Sequence, residues 1–389
     1  MARYDRIALL PAPSREHALP GWAVLRDLEG RERDTDLSRR LRLRFLALRA
    51  AKRLARRGHE EMSEESLERQ IETVREELGQ LSPRDPERAL LASFLHRLNR
   101  PTPLSVTTAT LELGEMAEMS GHLHGAEEFY RTAIDFADQY RLTAEQMAAR
   151  LMMGRVCTRS ARWEEAEVFF REGAELALRL DDRGHWARAM GGVAKALAEQ
   201  SRPSEARRVC DEMLACGKEW SDPIVQAEAW KGLCEVALAA GDLESAVGHG
   251  WTALESAESG EQRDETLALL GIAFTRLGLY RAAERCHTLV VQRATRPRLQ
   301  TRSRLELARI AAYAGKPDAA REHLRKAMED AGEHGDRDLL GSAEDLLSAL
   351  ERAAEQGISP PTHAPVGERA RKIAEQAESL TDEPVAASS

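Results

Sequence analysis

Apolar residues along this 389-residue chain return every three or four positions, the spacing that gathers them on one face of an α-helix. Leu37, Leu41, Phe45, Leu48 and Ala55 make one such stripe, and Leu67, Ile71, Val74, Leu78 and Leu81 make a second. The same intervals run through residues 111–120 and 126–137. Composition points the same way. Aromatic residues are 5% of the chain, and Val and Ile are sparse beside Ala, Leu, Glu and Arg, a mixture that favours helix over sheet. The expected fold class is all-α.

A longer period is superimposed on the helical one. Ala126, Ala166, Ala206, Ala246, Ala283 and Ala320 are spaced by 40, 40, 40, 37 and 37 residues. Twelve residues before each alanine lies Gly114, Gly154, Ala194, Cys234, Gly271 or Ala308, and an apolar residue precedes each of those. Five residues before each alanine stands Gly121, Ala161, Ser201, Gly241, Gly278 or Gly315, where a first helix must end and a second begin. Seven residues after it comes Ala133, Gly173, Met213, Ala253, Val290 or Ala327. Small residues at matching positions let two helices approach closely while apolar neighbours fill the groove between them, so each unit reads as a helical hairpin. Asp242 and Asp318 are placed to cap second helices.

This pattern resembles the tetratricopeptide repeat (TPR) family, in long 37–40-residue units like those of bacterial regulatory TPR proteins. The matching residues are the Leu113-Gly114 and Leu270-Gly271 pairs, the turn glycines, the alanine ladder, Trp163 and Tyr280 after their turns, and Trp230 in the early tryptophan position. The family norm is 34 residues, and the extra residues are expected in the second helix and its following turn. The resemblance implies a right-handed TPR solenoid of six hairpins with helical caps at both ends. It also implies a concave groove lined by first helices that holds a peptide or helix of another protein. Carried over position by position, that partner-binding groove comprises Glu115, Met119, Arg155, Arg159, Arg188, Lys195, Lys231, Glu235, Arg276, Arg302, Arg309 and Tyr313. It holds two basic clusters, Arg155/Arg159/Arg188/Lys195 and Arg276/Arg302/Arg309, about an acidic zone at Glu228 and Glu235. Arginine forks suit carboxylates, so the implied guest is an acidic peptide or helix. TPR chaperone clamps and peptide-pheromone receptors rely on groove asparagines. This chain has a single asparagine, Asn99, which argues against both.

The expected organisation is an irregular segment at 1–35 with a short helix at 22–28, and a helical cap at 36–100. Six TPR units at 107–332 follow, then a capping helix at 338–354 and a linker, short helix and tail at 356–389. In the N-terminal cap Arg39, Arg42, Arg49, Arg53 and Arg56 line one helix, and Glu64, Glu65, Glu68, Glu72, Glu76 and Glu77 flank the next. Two readings stand. The helices pair internally, or the basic one contacts nucleic acid while the array senses an effector. The helix at 368–380 has a third possibility, folding back into the groove.

Charge and chemistry narrow the functional class. A net charge of −9 argues against bulk nucleic-acid binding. Arg3, Asp5 and Arg6 precede only a five-residue apolar stretch, which fails as a secretory signal, and the expected location is cytoplasmic. The five cysteines make no Cys-x-x-Cys pair and read as reduced thiols. No phosphate loop, dinucleotide fingerprint, His-Glu-x-x-His or nucleophile elbow occurs, and His122 and His124 have no third ligand in view. The expectation is a non-catalytic scaffold or adaptor with no cofactor and no metal, whose partner is another protein.

Overall fold

A computed structural model of the chain describes residues 102–119, 121–333, 336–356 and 365–381, with isolated helical positions between 72 and 92. The expectations for 1–35, for most of the cap at 36–100 and for the segments on either side of the last helix lie outside the described residues. Those residues form fourteen helices and no strand. Six hairpins follow one another: α1 (Pro103–Met119) with α2 (Leu123–Gln139), α3 (Thr143–Arg159) with α4 (Trp163–Arg179), and α5 (Arg183–Glu199) with α6 (Pro203–Glu219). Next come α7 (Pro223–Ala240) with α8 (Leu243–Ser256), α9 (Gly260–Leu277) with α10 (Tyr280–Arg293), and α11 (Pro297–Tyr313) with α12 (Pro317–Glu333). Two further helices are α13 (Arg337–Gln356) and α14 (Glu368–Glu378). The long repeat has a simple source: two 17-residue helices with three-residue connections make 40. The 37-residue units instead have 14-residue second helices, α8 and α10.

One turn design serves nine of the connections, while those at 257–259 and 294–296 leave the helix through an extended residue, Ala257 or Ala294. Residues 121, 141, 161, 181, 201, 221, 241, 278 and 315 all have a left-handed backbone, with φ between 53° and 77°. The next N–H then reaches back five residues, as from Asp182 to the Ala177 carbonyl at 2.9 Å, and closes the helix end. That same residue opens the following helix. Asp182, Asp222 and Asp242 each accept first-turn N–H groups, from His185, from Ile224 and Val225, and from Ser245. Asp318, expected as a cap, lies instead inside the first turn of α12 and pairs with Arg321. Pro317 opens that helix, so the cap position falls one residue before it.

The chain divides into two compact units, Met1–Met116 with His124–Glu145, and Ala117–Leu123 with Gln146–Ser389. In the first, the Tyr130 ring fills the space beside Gly114, and Phe129, Tyr130, Ala133 and Phe136 are buried. In the second, Phe170 packs on Gly154, Cys234 beside Gly250, and His287 on Gly271. A large residue on one helix thus meets a small one on its partner. Cys157, Cys210, Cys234 and Cys286 are buried, and burial pushes the thiols of Cys210, Cys234 and Cys286 up to about 12. They are packing residues rather than nucleophiles.

Candidate functional site

The residues expected to line a groove all fall on first helices, and most of them are charged. Most of these charges are already partnered. Arg155 donates to Glu118 at 2.7 Å. Arg159 is nearly buried. It donates to the Glu118 carbonyl at 2.6 Å and to Asp338 at 2.8 Å, with Asp336 at 3.8 Å. Asp336 also pairs with Arg298 and accepts the Leu339 N–H at the start of α13. Arg159 therefore ties α3 to a helix 179 residues further along the chain.

From α5 to α11 the pairs form a band. Arg188 meets Glu261 at 3.4 Å, and Arg296 pairs with both Glu261 and Glu265, the latter at 2.8 Å. Glu265 lies 2.7 Å from Lys231, which also holds buried Glu228 at 2.7 Å. Gln262 completes that cluster by donating to Glu228 at 3.2 Å. Lys195 and Glu235 are 3.7 Å apart. Burial opposes the charge on Lys231, but Glu228, Glu265 and Glu235 outweigh it and raise its pKa. Each pair joins different first helices or braces one, so the band ties neighbouring first helices together.

The second basic cluster is differently disposed. Arg276 donates to the Leu238 carbonyl at 2.6 Å, at the end of α7, and Arg309 pairs with Glu306 at 2.9 Å. Arg302 makes no hydrogen bond or ion pair with the described residues. It is open to water, yet burial lowers its pKa, aided by Arg298 and opposed by Glu306, Glu235 and Glu265. Tyr313 is exposed on the same helix and tilts toward Tyr280 at 6.0 Å between ring centres. Met119 is exposed at the end of α1, and Glu115 is exposed within the first unit.

Several partners in this band were not among the groove positions expected from sequence: Glu261, Glu265, Arg296, Arg298, Asp336 and Asp338. Glu261 and Glu265 sit one helical turn apart at the start of α9 and so share a face, a signal present in the sequence. The reach from Arg159 to Asp338 has no local signal at all. Helix α14 does not enter the first-helix groove. It packs on the second helices α8 and α10. Among the described residues, no group of three or more His, Cys, Asp or Glu side chains is placed to hold a metal, and no helix is long and apolar enough to cross a membrane.

No family model matches the chain, and no curated protein matches it. Solved structures do. A Rap protein complexed with Competence and Sporulation Factor is 13% identical, covering 80% of this chain and 99% of that one at a TM-score of 0.45. Aspartyl phosphate phosphatase F from Bacillus subtilis is 14% identical, covering 91% and 97% at a TM-score of 0.43. BtubC from P. vanneervenii is 14% identical, covering 72% and 93% at 0.33. At such distances the reading of the site rests on this chain's own geometry.

Proposed function

We propose that this protein is a non-catalytic scaffold that holds a peptide or helix of a partner protein along its first-helix face, anchored at the α9–α11 end. The observation that carries the reading is Arg302. It is an exposed guanidinium with no ion pair among the described residues, on a helix face where almost every other cation is satisfied. A carboxylate from a guest supplies the missing partner through a charge-assisted, bidentate pair. Arg309 and Tyr313 extend the anchor along α11, and Arg276 adds a second positive edge. The paired band from Arg188 to Lys231 then acts as a firm wall, so the guest's acidic character is needed chiefly at one end.

The test is affinity capture followed by mass spectrometry, comparing wild type with Arg302→Glu/Arg309→Glu. The expected result is loss of the captured protein with a change in melting temperature below about 4 °C, since surface substitutions usually cost within ~0.5 kcal/mol. A partner retained in full by the double variant overturns this anchor.

A further inference from the structure

Helix α14 rests on the outer side of the array, and how it is held is informative. Ala370, Ile373, Ala374 and Ala377 are buried in one apolar cluster with Val247 and Leu254 of α8 and Cys286 and Leu289 of α10. The clamping polar contacts are made to α14's main chain. Glu244 accepts the Gly367 N–H at 2.7 Å, just before the first turn. Arg285 donates to the Leu380 carbonyl at 2.7 Å, just past the last. An acid at the N-terminal end and a base at the C-terminal end match the helix dipole. A β-carbon at position 367 would lie 2.6 Å from the tip of the Glu244 side chain, which would have to swing aside. It reads length, polarity and narrowness, and at its two ends it reads no side chain.

The apolar stripe of α14 is closely seated, and a shallow depression of about 530 Å³, lined by Gly248, Trp251, Arg369 and Ile373 among others, runs beside it on the solvent side. At 11 residues, α14 is shorter than the ~12–15 needed for a helix to be even marginally stable alone, so it is helical because it is seated. The seat itself is distinctive, because the outward side of α8 carries Val247 and Trp251, apolar residues that need a cover.

We infer that the outer groove between α8 and α10 is a helix-docking site, that α14 is its tethered occupant, and that a partner's amphipathic helix of the same form displaces it. That form is about three turns, with small residues at the positions of Ala370, Ala374 and Ala377. This site is separate from the first-helix groove and stands or falls independently of it.

The probe is a fluorescein-labelled peptide of residues 365–381, followed by anisotropy against the full chain. Tethering gives α14 a high effective concentration, so wild type binds the peptide weakly. The full-length variant Ile373→Asp, which frees the seat, binds it at least tenfold more tightly, and adding Arg285→Glu abolishes the gain. A peptide with the exposed residues of α14 shuffled binds within about threefold of the original, whereas Ala374→Leu in the peptide stops binding. Equal binding by wild type and Ile373→Asp, or a more than tenfold loss on shuffling, overturns the inference. Should Ile373→Asp misfold by circular dichroism, hydrogen exchange of wild type decides. Amides of 368–378 exchanging at least tenfold faster than those of α8 and α10 support exchangeability, and equal protection refutes it.

Discussion

Gly154 and Phe170 show how the repeat is specified. A β-carbon at position 154 would lie 2.7 Å from the Phe170 ring, so the glycine is what lets the ring in. Elsewhere the same pair of positions holds Gly114 with Tyr130, Gly271 with His287, and Ala308 with Leu324: the bulk is traded between the helices. Gly154→Ala is expected to cost about 1–3 kcal/mol by overpacking. Adding Phe170→Leu, which recreates the Ala308–Leu324 pairing, should recover at least half of that in a urea-melt double-mutant cycle. Strict additivity of the two changes would mean that the pair does not set the seam. His287 makes a second prediction. Neither ring nitrogen has a hydrogen-bond partner among the described residues, and burial, with Arg302 nearby, lowers its pKa to about 3. The unfolded chain takes up a proton near pH 6.5 and the folded one does not. Stability is therefore intact above that pH and falls as pH drops, by about 2 kcal/mol at pH 5. His287→Phe, which copies the Gly154–Phe170 pair, should reduce that acid loss. Urea midpoints at pH 7 and pH 5 for both proteins check it, and identical pH losses would rule out His287 as the source.

Helices and turns show which parts of the fold could be read from sequence. All six turn positions picked from the repeat, Gly121, Ala161, Ser201, Gly241, Gly278 and Gly315, adopt the left-handed backbone. Arg141, Asp181 and Ser221 do so too, at the connections between hairpins, and their residue types carry no such signal. They occupy the same place in a three-residue link between 17-residue helices as Ala161 and Ser201 do within hairpins. A non-glycine residue pays about 1–2 kcal/mol in that conformation, partly offset by glycine's greater freedom when unfolded. Ala161→Gly should therefore stabilise by up to about 1 kcal/mol, and Gly241→Ala should destabilise by a similar amount, read as shifts in melting temperature. The location of α14 was not legible. A stripe of Ala370, Ala374 and Ala377 says that a helix needs a close neighbour, but not which one. The clue lay far away, in the apolar outward side of α8. The groove was legible in part for the same reason: first-helix register marks which residues face inward, whereas their countercharges come from helices remote in sequence.

Across the second unit, a few ion pairs join helices that are remote in sequence. Arg159 joins α3 to the start of α13, where Asp336 is nearly buried and shared with Arg298. Removing Arg159 leaves Asp336 short of one cation, at a cost of about 1–3 kcal/mol. For Arg159→Gln we expect that loss together with faster hydrogen exchange at residues 336–343, while the α7–α9 amides are unchanged. Uniform acceleration would show instead a global effect. The central claim, that a partner lies along the first helices and meets α11, is tested most directly by placing a photo-crosslinking amino acid at defined positions in the full chain. Benzoylphenylalanine at Tyr313 or Arg302 should capture one partner protein, whereas at Val168 or Leu178, exposed on the second helix α4, it should capture none. Adducts arising mainly from positions 168 and 178 would contradict the account and move recognition to the opposite face.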